Sequence, residues 1–349
     1  MNFKNKLTNW YSINKRELPW RATKNPYYIW LSEIILQQTQ VKQGLPYYNA
    51  FVETYPTVFN LAKASEESVL KLWQGLGYYS RARNLHFTAK YIVNELNGKF
   101  PNTYKDLLKL KGVGDYTASA IASIAFNEVA AVVDGNVYRV LSRYFGIDTP
   151  INSTAGIKEF KVLASSLIDK NQPATYNQAI MEFGAKQCKP KSPDCNACPL
   201  EDSCFALQKG LVDTLPIKLK KTKVTTKYFN FIVFIDAHNK TMFEKRTKKG
   251  IWQNLYQFPL IESERSLKVS EFHLLNLKDT ILKNKTFDYA LYNQTDKIHK
   301  LSHQHLHTKF WIIELEHLPI EAIPIKDLRS YPSPVLISDF IEQFNFKGL

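Results

Sequence analysis

All four cysteines of the chain fall in one short stretch, as Cys188, Cys195, Cys198 and Cys204, in a C-x6-C-x2-C-x5-C arrangement. A thiol cluster this tight obliges one loop to wrap around whatever the sulfurs hold. In a reducing compartment it means metal far more often than disulfide. Four thiolates suit a tetrahedral zinc ion, and they equally suit a [4Fe–4S] cluster; spacing leaves both open. Pro190, Pro193 and Pro199 stiffen the turns, and Lys189 and Lys191 give the loop charge that suits a phosphate. A metal knot that only closes a domain is an equally good reading.

The charge narrows the partner. Forty-six Lys and Arg against 32 Asp and Glu leave the chain at +14, and cations in this excess gain by displacing counterions from a polyanion. No basic amphipathic anchor is apparent, which favours nucleic acid over an anionic membrane. No apolar run approaches the roughly 18 residues of a membrane span. Met1 to Leu18 mixes Lys, Asn and Arg with Trp10, Tyr11 and Ile13, so it reads as no signal peptide, and the expectation is a cytoplasmic protein.

At 349 residues two or three domains are expected. The first 210 or so residues read as helical. Asn25-Pro26 starts one helix as cap and first-turn proline, a second runs from Ser65 to Trp73, and Asp134 caps a third that closes at Gly146. Residues 216–227 are polar and basic and read as a linker. Beyond it, Tyr228–Ile235 and His307–Leu315 are aromatic and β-branched runs that predict strands, and residues 320–345 are helical in part. The C-terminal third is expected to be a separate α+β domain. His303, His305 and His307 alternate along the second strand; a polar strand face accounts for them better than a metal site, because no acid shares the alternation.

Three features suggest chemistry. Gly112-Val113-Gly114 joins a leucine-rich segment to a helix of small residues, a turn tight enough to offer backbone N–H groups at a helix start to a phosphate oxygen. An ordinary helix–helix turn is the bland alternative. Asp134 lies 20 residues beyond Gly114; capping alone explains it, yet a carboxylate there also suits a sugar carbon in a groove. Glu33 sits among Ile29, Trp30 and Leu36, where desolvation raises a carboxyl pKa toward that of a general acid.

Together these residues resemble the endonuclease III superfamily, and within it the MutY-type adenine DNA glycosylases. The resemblance runs through Leu18-Pro19-Trp20, Trp30 to Glu33, Leu36 to Val41, Leu76 to Leu85, Gly112 to Gly114, Asp134 to Val137 and the four cysteines. It implies a [4Fe–4S] cluster on Cys188, Cys195, Cys198 and Cys204. It also implies a multidomain fold: a mainly α helix–hairpin–helix glycosylase domain over 1–214, a linker over 215–227, and an α+β Nudix-like domain over 228–349. Within the first, a six-helix module of about 26–135 is inserted into an iron–sulfur module of about 1–25 and 136–214.

The activity implied is removal of adenine mispaired with 8-oxoguanine, or with guanine, from double-stranded DNA by a monomer. Glu33 would protonate the leaving base and Asp134 would stabilise the oxocarbenium-like sugar once the adenine is flipped out. Gln38 and Tyr78 would fill the space at the orphaned base, with Arg81 and Arg83 near phosphate and Gly112, Val113 and Gly114 on the backbone. At least one of Tyr78 and Tyr79 is expected in the core. Tyr116 stands where strand-cutting relatives carry lysine; a phenol forms no Schiff base with the sugar, so a monofunctional glycosylase is expected, with the hydroxyl assisting on the Asp134 side. The rival readings are a bifunctional endonuclease III-type enzyme and a non-catalytic iron–sulfur DNA-binding protein. Gly250 to Pro259 resembles a Nudix-like segment without the acidic box that follows in Nudix hydrolases. Ser302 and His303 match a loop that probes 8-oxoguanine, with Leu301 where the family carries an aromatic.

Overall fold

The computed structural model describes residues 2–219, 224–275, 277, 282, 287–319 and 321–346. The chain divides into two compact units, Met1–Lys63 with Arg83–Lys220, and Ala64–Ala82 with Lys221–Leu349. The division does not follow the linear order: residues 64–82, read from sequence as part of the helical domain, group with the C-terminal domain.

The first unit is helical. It opens with α1 (Phe3–Asn14), α2 (Pro26–Leu36), α3 (Val41–Thr54) and α4 (Val58–Lys63). Asn25 caps α2 as expected, its side chain accepting from the Tyr27 amide at 3.0 Å. Nearly every side chain of α2 from Tyr27 to Ile35 is buried, so Glu33 has no solvent face to escape to. After α5 (Glu66–Leu72), which belongs to the other unit, follow α6 (Ser80–Leu96), α7 (Tyr104–Leu107), α8 (Asp115–Phe126), α9 (Gly135–Phe145), α10 (Thr154–Leu167), α11 (Pro173–Lys186) and α12 (Phe205–Gln208). Leu7 of α1, Val137 and Leu141 of α9, Phe160 of α10 and Phe183 of α11 meet in one core. Asp134 caps α9, and Gly146 closes it at φ +73°.

Part of the expected linker is tied into ordered structure. The Leu215 carbonyl accepts from Arg143 at 3.0 Å, the Ile217 carbonyl from the Ile151 amide at 3.0 Å, and the Leu219 amide donates to Asn152 at 2.8 Å. Hydrogen bonds from backbone and side-chain groups, which composition does not reveal, thus tie residues 215–219 to the helical unit. Residues 220–223 lie outside the described residues.

In the second unit, β1 (Thr225–Asp236), β2 (Lys240–Thr241), β3 (Glu244–Lys245), β4 (Tyr256–Gln257), β5 (Leu260–Ser263), β6 (Asp288–Leu291), β7 (Lys297–Lys300), β8 (Gln304–Leu315) and β9 (Ile323–Pro324) precede α13 (Val335–Gln343). The main sheet runs β5-β1-β8-β6, with β7 also on β8. β1 and β8 are parallel and in register from Thr225↔Gln304 to Asp236↔Leu315, longer than the apolar runs that predicted them because ladder hydrogen bonds carry their polar first residues too. Phe310 stacks on Phe340 of α13 with ring centroids 4.1 Å apart, a contact worth about 1 kcal/mol beyond its area.

Segment 64–82 is fastened to this domain. Ser65 caps α5; Asn254 donates to Glu66, Tyr256 to Glu67 at 3.2 Å, and Lys71 to the Tyr331 carbonyl at 3.4 Å. Gln74 donates to Ser338 at 2.7 Å, and buried Tyr79 donates to the Ser333 carbonyl at 3.3 Å.

Candidate active site

Glu33 of α2, Tyr116 of α8 and Asp134 at the start of α9, far apart in sequence, line one cavity of about 920 Å³ together with Gln38. Glu33 is only 8% exposed. Its burial pushes the carboxyl up to about 7; the hydrogen bond with Tyr116 and the charge of Arg21 oppose this rise, while the charge of Asp134 adds to it. A carboxyl poised there holds a proton near neutral pH and can release it.

Asp134 is held differently. Its Oδ1 accepts from the amides of Asn136 at 2.9 Å and Val137 at 2.8 Å, and its Oδ2 accepts from Asn136 Nδ2 at 2.7 Å. Burial raises this carboxyl above its ordinary range, and these three hydrogen bonds and the Arg139 guanidinium counter the rise. Both carboxyl groups thus face one cavity, Glu33 favouring its proton and Asp134 anchored as an acceptor at a helix start. The Tyr116 hydroxyl donates to Met181 Sδ at 3.3 Å and is also hydrogen bonded with Glu33.

Sequence reasoning missed the cavity's polar wall. Glu182 of α11 is 1% exposed and is bound by Arg16 Nη2 at 2.6 Å and Arg21 Nη2 at 2.7 Å. Burial would raise its carboxyl, but the two arginines hold it at about 2. These three residues, with Trp20, line the cavity. A lone acid in the apolar run Ile180 to Phe183 was the available signal; its partners lie more than 160 positions away.

The hairpin is formed. Gly112 takes φ +82°, while Gly114 is extended at φ −93°, ψ −177° and caps α8; only the first glycine needs its conformational freedom. Thr88 donates to the Lys111 carbonyl at 2.8 Å and Gln37 Nε2 to the Gly112 carbonyl at 3.4 Å. The carbonyls are thus held from within, and the first amides of α8 have no acceptor a turn behind them. The Val113 side chain is buried, so only its backbone serves a surface role.

Gln38 and Tyr78 are both exposed and both left-handed, at φ +56° and +47°. For residues other than glycine that strain costs about 1–2 kcal/mol each. Tyr78 is 48% exposed, and Tyr79 is the buried member of the pair. The phosphate expectation for Arg81 is corrected. That side chain is buried, donates to the Leu76 and Gly77 carbonyls at 3.2 Å, and lies 5.0 Å over the Trp73 ring; it shapes the turn that presents Tyr78. Arg83 is half-buried. Ser302 and His303 are exposed at the turn between β7 and β8, with Ser302 Oγ 3.4 Å from His303 Nδ1.

The four cysteines line a second, small cavity with Arg143. Arg143 Nη1 donates to Cys188 Sγ at 3.4 Å and to the Lys189 carbonyl at 2.8 Å. Burial pushes the Cys198 thiol up to about 12. Among the described residues no three His, Cys, Asp or Glu side chains converge as ligands of a single ion; the thiols ring a space. Arg139 ties this loop to Asp134, donating to the Cys188 carbonyl at 2.7 Å and to Asn136 Oδ1 at 2.9 Å.

Residues 31–163 match the HhH-GPD superfamily base excision DNA repair protein model, and residues 230–343 match the NUDIX domain model. The chain is 37% identical over 306 residues to an adenine DNA glycosylase of Buchnera aphidicola subsp. Schizaphis graminum, covering 87% of this chain and 85% of that one. It is 45% identical over 216 residues to the Homo sapiens adenine DNA glycosylase, covering 59% and 40%. A thermostable thymine-DNA glycosylase superposes with a TM-score of 0.55 at 31% identity, over 59% of this chain and 95% of that one. The matching domains in their order, the helix–hairpin–helix fold and a 37% identical relative aligned over most of both chains lead to one assignment: the chain belongs to the adenine DNA glycosylases.

Proposed function

We propose that the chain is a monofunctional glycosylase that removes adenine paired with 8-oxoguanine, with Glu33 as general acid and Asp134 as the carboxylate facing the sugar. The observation that carries the reading is the pairing of a proton-holding Glu33 with an anchored Asp134 in one cavity large enough for a flipped purine.

The adenine enters the cavity, where Trp20 offers a ring face and Arg21 and Glu182 offer polar edges. Glu33 donates its proton to a ring nitrogen as the glycosidic bond breaks, and the electron pair of that bond leaves with the base. Asp134 stabilises the cationic sugar, and water completes the hydrolysis. Tyr116, hydrogen bonded with Glu33, keeps the acid in place. A phenol here supplies no amine for a Schiff base, which supports base removal without strand cleavage. Gln38 and Tyr78, strained and exposed, are suited to fill the gap left in the duplex, and the Gly112–Gly114 backbone to hold a phosphate. Ser302 and His303 would read the opposite base.

Cys188, Cys195, Cys198 and Cys204 would hold a [4Fe–4S] cluster; four half-buried thiols around a space fit a cuboidal group better than one ion. Bound there, the cluster would stabilise the loop that carries Lys189 and Lys191.

Incubation with an adenine:8-oxoguanine duplex tests the reading. Abasic sites that break only on hot alkali are expected. Breaks without alkali at the rate of base loss would overturn the monofunctional assignment, and an intact adenine would overturn the substrate.

A further inference from the structure

Asp115 is an unexpected residue for a phosphate-holding hairpin. It follows Gly114 directly as the first residue of α8, and its side chain is 49% exposed. The helix dipole favours an acid there, but an approaching phosphate does not.

The surroundings answer the charge. Lys161, from the middle of α10, donates to Asp115 Oδ2 at 2.9 Å, to Ser119 Oγ at 3.0 Å and to the Ala131 carbonyl at 2.8 Å. Tyr104 donates to the other oxygen of Asp115, and its ring lies 5.3 Å from the Lys161 ammonium. All three ammonium protons are committed, so this cation is fixed and is not a solvated tether. Its anchor at Ala131 starts the buried run Ala131–Val133 that leads to Asp134.

We propose that Lys161 is the hairpin's built-in counter-charge, a positioning residue that cancels Asp115 where the DNA backbone approaches. The inference rests on the hairpin's reading as a phosphate site. An ion pair this exposed contributes little to folding; its use is to keep one uncompensated negative charge off a polyanion's path.

The test is binding of the iron-loaded, full-length protein to an undamaged duplex by fluorescence anisotropy at low salt, because backbone contact is independent of sequence. Lys161→Ala is expected to weaken binding about tenfold, the scale of one close charge. Asp115→Asn should bind at least as well as the parent, and the double variant should recover to the level of Asp115→Asn. That recovery separates charge from structure, since removing the acid restores neither the Ser119 nor the Ala131 hydrogen bond. Lys161→Gln, which keeps most of the stem, replaces the alanine variant if thermal melting shows that the latter is unfolded. Unchanged binding by the lysine variants, or a double variant as weak as the single, overturns the proposal.

Gly114→Glu distinguishes this failure from failure of the hairpin reading. A Cβ at Gly114 meets no atom within 4 Å, so the side chain is accommodated and adds a carboxylate at the contact. Weak binding by Gly114→Glu with a flat lysine series defeats only the counter-charge. Parental binding by Gly114→Glu defeats the hairpin reading and the proposal with it.

Discussion

Glu33 shows how burial sets a proton's affinity. Folded, it keeps its proton up to about 7, against an ordinary value of 4.5. Folding therefore takes up a proton between those values, and the group's contribution to stability falls as pH rises through that window. Glu33→Gln is neutral throughout, so its stability relative to the parent should rise with pH, reaching at most about 3 kcal/mol above pH 7; urea melts at pH 5 and pH 8 measure this. The same variant should lose adenine release by at least a hundredfold. In the parent, single-turnover release should decline as pH rises through about 7, because the acid then starts the reaction without its proton. A rate flat from pH 6 to pH 9 would remove Glu33 from the role.

At the scale of elements, the two hairpin glycines should behave differently. Gly112→Ala forces a left-handed alanine, with Asn84 Cβ 2.9 Å from the new atom, and should destabilise the fold by about 1–2 kcal/mol in urea melts. Gly114→Ala has space and an ordinary backbone, so its melt should match the parent and its defect should appear only with duplex present. The cysteine loop makes a separate prediction. Lys189 and Lys191 line the main cavity's edge; if each meets a phosphate, replacing one by alanine lowers the slope of log affinity against log salt by about 0.9. An unchanged slope would leave the loop a closing knot.

The whole molecule is less linear than its sequence. Residues 64–82 carry Tyr78, yet their hydrogen-bond partners are Asn254, Tyr256, Tyr331, Ser333 and Ser338 of the C-terminal domain. A chain ended at Leu219 should therefore show faster amide hydrogen exchange in 64–82, with α8 to α11 protected as before. Equal protection in the shortened chain would show that the segment holds its own structure. No helix among the described residues is long and apolar enough to cross a membrane.

Local rules made much of this chain legible. The caps at Asn25, Ser65 and Asp134, the turn at Gly112, the two long strands and the cysteine cluster follow from spacing and from preferences that act within a few residues. The resemblance then supplied the expected roles of Glu33, Asp134 and the cysteines, which spacing alone left beside their bland alternatives. Tertiary structure decided the rest. Arg81 became a buried support, because cation and carbonyl met through a turn that no pattern encodes. Glu182 acquired Arg16 and Arg21, Asp115 acquired Lys161, and segment 64–82 joined the distant sheet. For Glu182, Asp115 and segment 64–82 the partner lies across the fold, and sequence period carries no record of which surfaces folding brings together. The cysteines with which the sequence is most explicit mark where one loop must close; that Arg139 connects this loop to Asp134 is known only from the folded chain.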